Sequence, residues 1–292
     1  MKDGQGNTTA NKVTTASNRW ESLFLPVGCP FREDGSLKSV TRPSQEEVWS
    51  MHEADWTVKA FQYGRVRDKS KYDEEWYWRN RCRAAKVVDT YYRIQPEIQH
   101  VVNDRWQALL GSVPPTTPIL GVHLRGGDKN GERDGKIQPQ TYLPYVEAWL
   151  SKYNDSKVFF ATDDSGFFQT VFRTWPKDVQ QAVVTSRSLS KDLHWKDQED
   201  VEKTRDAMMD VLFLARSDFL LHSESGLSEA AIYWNLELHD RSILMYKNKA
   251  RKGFKTPEEF RDSLSSLQFG KEGWNPETWR KPWNPTSRAC DS

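Results

Sequence analysis

The sequence has few cysteines, almost no net charge and no long apolar run, and each of these absences excludes a class of protein. Three cysteines in 292 residues, none in a C-x-x-C pair, indicate neither a zinc site nor a disulfide framework. A formal net charge of +1 gives no electrostatic reason to expect nucleic acid or an anionic membrane as a partner. No apolar stretch approaches the roughly 20 residues of a membrane-spanning helix, and the polar first residues are unlike a signal peptide.

Motifs typical of several nucleotide and metal sites are missing too. No G-x-x-x-x-G-K-[ST] string is present, which excludes a Walker A loop, and no G-x-G-x-x-G follows a predicted strand, which disfavours a dinucleotide oxidoreductase. H-E-x-x-H and comparable metal-ligand spacings are also absent. The chain has 13 tryptophans, an unusually large number that suits anchored loops or a surface that handles sugars.

The clearest boundary in the chain is the linker S-V-P-P-T-T-P at 112–118. Before it, 1–18 are polar and are predicted to be a disordered tail, and 19–118 form a partial, mainly helical N-terminal region. After it, 119–250 are predicted to be a nucleotide-sugar-binding Rossmann-like domain. A C-terminal helix and a Trp/Pro-rich tail occupy 251–292.

Strand and helix patterns alternate after the linker. This alternation predicts an α/β fold, with a Rossmann-type parallel sheet and helices on both of its faces. Right-handed crossovers bring the carboxyl ends of the strands together along one edge, where open sheets of this kind bind their ligands. The predicted strands cover 119–125, 157–162, 180–185, 218–222 and 242–246. The predicted helices cover 44–63, 74–92, 97–110, 140–152, 165–174, 200–216 and 226–236, with another beginning at 256.

The stretch I-L-G-V-H-L-R-G-G-D-K at 119–129 organises the predicted site. Its first half is apolar and predicts a strand that is buried on both faces. Because side chains alternate along a strand, His123 and Arg125 are expected to point to the same side at its end. The two glycines that follow allow a ligand to approach the backbone closely. We interpret the stretch as an anion-binding loop for a nucleotide diphosphate.

Two further predicted strands end in polar residues. Asp163 and Asp164 follow V-F-F-A-T, and Ser225 comes shortly after F-L-L-H. Taken singly, each residue has an ordinary structural explanation, since Asp-Asp after a strand often caps the next helix. Convergence of three strand ends on one edge favours a binding site instead. There, Arg125 would fork onto a diphosphate, and Ser225 at a helix start would add backbone N–H donors.

Other polar residues leave alternatives open. Asp210 flanks the apolar stripe of the helix before the fourth strand, so it is either the partner of a buried donor or exposed. Basic and aromatic residues interleave in the helix over 74–92, which favours a solvated amphipathic helix over a phosphate-binding face. These residues are Trp76, Trp78, Arg79, Arg81 and Arg83. A divalent metal bound by His123, Asp128, Asp163 and Asp164, for a hydrolytic reaction, ranks below a diphosphate site because the ligand spacing is missing.

Three motifs occur in register: H-L-R-G-G-D-K, then A-T-D-D, then D-V-L-F-L-A-R-S-D-F-L-L-H-S-E-S-G. Together they resemble the α1,6-fucosyltransferases, a family that includes core and rhizobial chitooligosaccharide fucosyltransferases and is related to protein O-fucosyltransferases. The helix that begins W-Y-W-R-N-R-C-R resembles the one before that family's second domain, so the resemblance covers roughly 76–246. It implies a GT-B-like, inverting, metal-independent transferase of the Golgi lumen. The donor would be GDP-fucose and the acceptor a glycan or glycoprotein, with an α1,6 linkage to GlcNAc of an N-glycan.

The resemblance also implies roles for individual residues. By position, Arg125 would bind the β-phosphate and assist the departure of GDP, while His123 and Asp210 would hold the guanine and ribose end. Lys129 and Glu132 match the loop that contains the family's proposed acceptor base, which makes Glu132 the candidate base. The other implied donor-binding residues are Gly126, Asp128, Tyr142, Asp163, Asp164, Ser225 and Gly226.

The chain departs from the family pattern at two motif positions. The core enzymes carry a second arginine directly after the essential one, where this chain has Gly126. The last serine of their third motif falls on Gly226. The region before Pro118 is shorter than a full acceptor domain, and we expect a fragment or a reduced homologue. A non-catalytic GDP-sugar-binding domain is therefore the alternative function.

Overall fold

The computed structural model describes only part of the chain. The described residues are 74–92, 94–111, 113–114, 117–126, 137–186, 201–245 and 256–267. The predicted disordered tail, the helix predicted over 44–63 and the Trp/Pro-rich tail lie outside these ranges. All five predicted strands and the remaining predicted helices fall at least partly within them.

Within the described ranges, five parallel strands form one sheet, in the order β3-β2-β1-β4-β5. The strands are β1 Leu120–Leu124, β2 Val158–Thr162, β3 Val183–Val184, β4 Phe219–His222 and β5 Ser242–Leu244. Every residue of β1, β2 and β4 is buried, as expected of strands that helices cover on both faces. The predicted α/β fold with a parallel sheet is confirmed.

Helices cover both faces of the sheet. They are α1 Glu74–Tyr91, α2 Pro96–Leu110, α3 Leu143–Lys152, α4 Ser165–Thr174, α5 Lys177–Ala182, α6 Val201–Ala215, α7 Gly226–Trp234 and α8 Pro257–Leu264. Short 3-10 helices lie at Pro139–Thr141 and Leu236–His239. Within the described ranges, no helix combines the length and the apolarity that a bilayer crossing requires.

Alternate residues of β1 feed two separate hydrophobic cores. Leu120, Val122 and Leu124 pack into a core with α3, α4 and α8. The opposite face of the sheet packs against α1, α2, α6 and α7. His123 points to this second face because side chains alternate along a strand. The helices of the second face therefore decide what surrounds His123.

The strand order places a topological switch point at β1. From β1 the chain adds β2 and β3 on one side, and then crosses to β4 and β5 on the other. His123 pairs in register with His222, so β1 and β4 end close to the same level. Ligands of open α/β sheets bind in the crevice beyond such a switch point. The polar residues at the strand ends and the strand order therefore indicate the same edge of the sheet as the ligand-binding edge.

The third strand is shorter than its sequence pattern predicts. Where a strand over 180–185 was expected, α5 occupies Lys177–Ala182 and β3 only Val183–Val184. Pro176 precedes the helix, and Asp178 lies in its first turn, where a negative charge is favourable. Among the described strands, β3 lies at one edge of the sheet and pairs with β2, so few pairing partners oppose the helical preference of K-D-V-Q-Q-A.

The wide cysteine spacing predicts no disulfide framework, and the structure adds that one cysteine, Cys82, is bridged. This residue lies on α1, is 5% exposed and is disulfide-bonded. Cysteine spacing along a chain says nothing about distance in space, and a bridge needs Cα atoms about 4.4–6.8 Å apart. Cys29 and Cys290 lie outside the described residues. Persistent disulfides are typical of oxidising compartments.

Candidate functional site

Arg125 lies directly beyond the carboxyl end of β1. Its Nη1 forms an ion pair with Oδ2 of Asp163, the first residue after β2. The Arg125 side chain remains 27% exposed, whereas that of Asp163 is 5% exposed. The arginine is thus tied to a buried carboxylate and still reaches the surface. A guanidinium has five N–H donors, so this ion pair is compatible with a second anion.

The backbone around Arg125 is held from both neighbouring strands. The Arg125 N–H donates to Oγ of Ser223, at 2.7 Å, and Ser223 directly follows β4. The Gly126 N–H donates to Oδ1 of Asp163, at 2.6 Å. Ser223 and Asp163 are both buried. The end of β1 therefore has a defined path across the switch point, which sets where the Arg125 side chain leaves the sheet.

Steric crowding by Asp164 explains why residue 126 is a glycine in this fold. A Cβ at this position would overlap Cβ of Asp164 and lie 2.6 Å from its Oδ2. Any larger residue would have to displace the Asp164 side chain. Position 126 therefore has no room for a larger side chain while Asp164 stays in place.

The two adjacent aspartates have different surroundings. Asp164 is the N-cap of α4, and its Oδ1 accepts from the N–H groups of Gly166 at 2.9 Å and Phe167 at 3.3 Å. The ordinary capping explanation thus holds for Asp164. Asp163 instead binds Arg125 and the Gly126 backbone. Direct contact of either aspartate with a donor stays a prediction.

The N-terminus of α7 lies just beyond β4. Ser225 is its N-cap, and Oγ of Ser225 accepts from the Leu227 N–H at 3.2 Å. Gly226 is exposed, and a Cβ there would meet no atom within 4 Å. The positive end of this helix is therefore open to solvent on the side of the switch point. Binding of phosphates by Ser225 and Gly226 stays a prediction, and Gly226 has no steric need to be glycine.

His123 is buried beneath the strand end and is only 2% exposed. Its Nδ1 lies 2.6 Å from Oγ of Ser228, whose hydroxyl is also 3.3 Å from the Ser223 carbonyl oxygen. Ser228 is fully buried on α7. Sequence reasoning missed it, although its place three residues after the Ser225 cap puts it on the helix face next to the sheet. The role of His123 at the guanine end stays a prediction.

Asp210 is the partner of a buried donor, as one of the two sequence interpretations held. It is 6% exposed on α6, and the Ser186 hydroxyl donates to its Oδ1 at 2.7 Å. The pKa of Asp210 is raised to about 7, mainly by burial; the Ser186 hydrogen bond partly offsets this rise, and the nearby Asp206 charge adds to it. Ser186 follows β3, which places Asp210 towards the carboxyl edge of the sheet.

The raised pKa of Asp210 should make stability depend on pH. The unfolded chain releases this proton near the ordinary value of 3.8, whereas the folded chain holds it to about pH 7. Its contribution to stability is therefore fully present below pH 3.8 and is lost as pH rises through 7. We expect Asp210→Asn, which cannot ionise, to flatten this part of the slope. Urea unfolding of both proteins between pH 4.5 and about 8 measures it; equal slopes would contradict the prediction.

Tyr142 lies inside the fold rather than on an open wall. It is fully buried in the core that contains α3 and α4. Burial raises the pKa of its phenol, and the Ser223 hydroxyl offsets this only in part. Its contact with a donor stays a prediction.

The predicted acceptor loop lies outside the described residues. Asp128, Lys129 and Glu132 all fall within 127–136, so their predicted roles stay predictions. Among the described residues, no three His, Cys, Asp or Glu come together as a possible metal-binding group. His123, one of the four residues of the alternative metal site, contacts the Ser228 hydroxyl through its Nδ1.

The interleaved helix matches neither sequence interpretation fully. In α1, Arg79 and Arg83 are exposed, as a solvated helix predicts. Trp78 and Arg81 are buried, with 5% and 4% exposure. The solvated-face interpretation is therefore wrong for these two residues, because α7 and the 3-10 helix at Leu236–His239 pack over them.

Comparison with known proteins gives weak likenesses. No family model matches the sequence. Among solved structures, the chain is similar to fucosyltransferase NodZ from Bradyrhizobium, with 15% identity and a TM-score of 0.36 over 75% of this chain and 76% of that chain. It is also similar to NodZ alpha-1,6-fucosyltransferase co-crystallised with GDP, with 15% identity and a TM-score of 0.37 over 75% of each chain. NodZ soaked with GDP-fucose gives 16% identity and 0.35, again over 75% of each chain.

Proposed function

We propose that this chain is a GDP-fucose-dependent fucosyltransferase of the GT-B type, which transfers fucose to a glycan acceptor with inversion. The observation that carries the proposal is the position of Arg125, the arginine of the family-like H-L-R-G-G-D-K motif. It lies at the switch point of the sheet, ion-paired to Asp163, with its backbone held by Ser223 and its side chain partly exposed. A forked cation there suits a leaving diphosphate.

The surroundings of Arg125 support a nucleotide diphosphate as the ligand. The positive N-terminus of α7, capped by Ser225, opens on the same edge. Between them, these groups offset the charge of a diphosphate, and we expect no metal requirement. Asp210 would accept hydrogen bonds from the ribose at the other end of the donor. Such bonds favour the ionised carboxylate, so donor binding should release a proton from Asp210 near neutral pH.

The transfer step needs a base for the acceptor hydroxyl. The acceptor oxygen attacks C1 of fucose, the bond from C1 to the phosphate oxygen breaks, and GDP leaves with the electron pair. Arg125 stabilises the charge on that departing phosphate. The acceptor proton passes to a general base, for which we propose Glu132, with Lys129 in the same loop. The α1,6 linkage to GlcNAc of an N-glycan is proposed from the motif resemblance.

A Golgi-lumen location is part of this proposal. The disulfide bond of Cys82 supports an oxidising compartment. The sequence resemblance supplies the choice of the Golgi. Mass spectrometry of alkylated, unreduced protein from a eukaryotic secretory host tests the oxidation state of Cys82.

A non-catalytic GDP-sugar-binding domain is the second candidate, and Gly126 favours it. The family pattern has a second arginine there, and Asp164 leaves no room for one. Calorimetry with GDP, GDP-fucose and UDP, run beside a transfer assay, separates the two candidates. Binding of GDP-fucose without transfer supports this second candidate. Preference for UDP contradicts both.

GDP-fucose should raise the melting temperature of the protein. A ligand that binds only the native state stabilises it by about 2.7 kcal/mol at a hundredfold excess over Kd. For a domain of 150–250 residues, about 1 kcal/mol corresponds to roughly 2–4 °C, so we expect a rise of about 5–10 °C by scanning calorimetry. UDP is the control, and EDTA should leave the rise unchanged. No rise at saturating GDP-fucose, or its loss with EDTA, would count against the proposed function.

A further inference from the structure

A second cluster of buried charge lies between α1 and α7. Arg81 of α1 is 4% exposed, as is Glu229 of α7. The Arg81 guanidinium donates from Nη2 to Oε1 of Glu229 at 2.7 Å, and from Nε to Oε2 at 3.1 Å. This two-point contact fixes the orientation of the carboxylate as well as its distance. It joins a helix from before the linker to the helix that follows β4.

A third contact extends this cluster to the next element of the chain. Nη1 of Arg81 lies 2.8 Å from Nδ1 of His239, in the 3-10 helix after α7. A guanidinium can only donate, so His239 accepts through Nδ1 and carries its ring proton on Nε2. The Trp78 ring packs on the His239 ring, with centroids 4.9 Å apart. Arg81 therefore connects α1 to the first turn of α7, through Glu229, and to the 3-10 helix that follows α7, through His239.

Stability alone does not explain a buried ion pair of this kind. Removing two charges from water costs free energy that their attraction repays only in good geometry, and apolar residues of similar volume often stabilise as well or better. A fork between a guanidinium and a carboxylate instead defines one relative position of two helices. The pair between Arg81 and Glu229 is thus suited to hold α7 in place.

The part of α7 that Arg81 holds is the turn that faces the site. The Glu229 N–H donates to the Ser225 carbonyl oxygen at 3.2 Å, in the first turn of the helix. Its neighbour Ser228 contacts Nδ1 of His123 at 2.6 Å. Ser225, Ser228 and Glu229 therefore belong to one turn. Displacement of that turn would move the open end of the helix relative to Arg125.

We propose that Arg81 is a positioning residue for the donor site. Through Glu229 it holds the first turn of α7 against β1, and so sets the distance between the helix N-terminus and Arg125. This inference rests on the proposed function. It adds that donor affinity depends on a helix from before the linker, through the position of α7.

A double variant separates positioning from stability. Arg81→Met alone leaves Glu229 buried without its cation, and should lower the midpoint of urea unfolding. Arg81→Met with Glu229→Leu removes both charges, and should recover most of that midpoint. Its GDP-fucose affinity should still fall roughly tenfold or more, because misplacement by on the order of 1 Å can cost about a hundredfold. KM for the donor should rise while kcat changes less.

Two other variants control this comparison. Arg81→Lys keeps the charge without the fork, and should weaken donor binding if the double variant does not fold. Arg216→Met with Asn103→Leu removes a partly buried arginine contact, Nη2 of Arg216 to Oδ1 of Asn103 at 2.6 Å. That contact lies at the C-terminal end of α6, near the start of β4 and away from the carboxyl ends of the strands. This control pair should leave donor affinity unchanged.

Hydrogen exchange keeps this inference distinct from the proposed function. The amides of 226–229 should exchange faster in the double variant than in the parent protein. Parental donor affinity in a folded double variant, or unchanged exchange in this turn, would overturn the role of Arg81. If the parent protein binds no GDP-fucose, the proposed function fails, and the exchange rates still decide whether Arg81 holds the turn.

Discussion

Arg125→Ala should lower kcat/KM for fucose transfer by about 10²–10³-fold, the usual cost of losing one group that stabilises transition-state charge. The protein should still fold, because Asp163 keeps its bond from the Gly126 N–H, but its urea midpoint should fall because buried Asp163 loses its cation. GDP release at saturating acceptor measures the rate. Circular dichroism and a urea midpoint measure the fold.

Two arginine variants control this experiment. Arg125→Lys keeps the charge but loses the planar fork, so its rate should fall between those of the parent protein and the alanine variant. Arg173→Ala makes the same change in net charge at an exposed position on α4, and should transfer fucose at the parental rate. Near-normal turnover by folded Arg125→Ala would refute the assignment of Arg125 to the leaving group.

Asp163→Ala should lower both stability and donor binding. It leaves the buried Gly126 N–H without its acceptor, which costs about 1–3 kcal/mol, and it removes the ion-pair partner of Arg125. Without these two contacts, the Arg125 side chain no longer has a fixed orientation at the end of β1. We expect a melting temperature lower by roughly 2–12 °C and GDP-fucose binding too weak to measure by calorimetry.

Asp163→Asn is the matched control for this variant. Its amide oxygen still accepts from the Gly126 N–H but carries no charge, so most of the stability should return. Donor affinity should recover only in part, because the ion pair with Arg125 is still missing. Full donor affinity in Asp163→Ala would mean that Arg125 does not depend on Asp163.

The helix and strand positions could largely be predicted from local patterns. Strands β1, β2 and β4 and helix α6 form where their sequence patterns predict them. A continuous apolar run predicts a strand buried on both faces, and an apolar stripe with helical spacing predicts a helix buried on one face. The same patterns located Arg125 and Ser225 at element ends. They failed at β3, where an edge position let a short helix form.

Other features depend on contacts between residues far apart in the chain. Asp163 and Asp164 are adjacent and chemically alike, yet one binds the backbone beyond β1 and the other caps α4. Nothing in A-T-D-D separates these roles. Their difference comes from side-chain alternation together with the placement of β2 next to β1.

Local side-chain order was therefore enough to identify the parallel α/β architecture and the strand-end residues that converge on one edge. Only the tertiary structure revealed the strand order and the pairing of Arg125 with Asp163. It also revealed the burial of Arg81 against Glu229 and the disulfide at Cys82. The physical reason is that secondary structure follows from neighbours within a few positions, whereas ion pairs, disulfides and buried hydrogen bonds form between segments that only packing brings together.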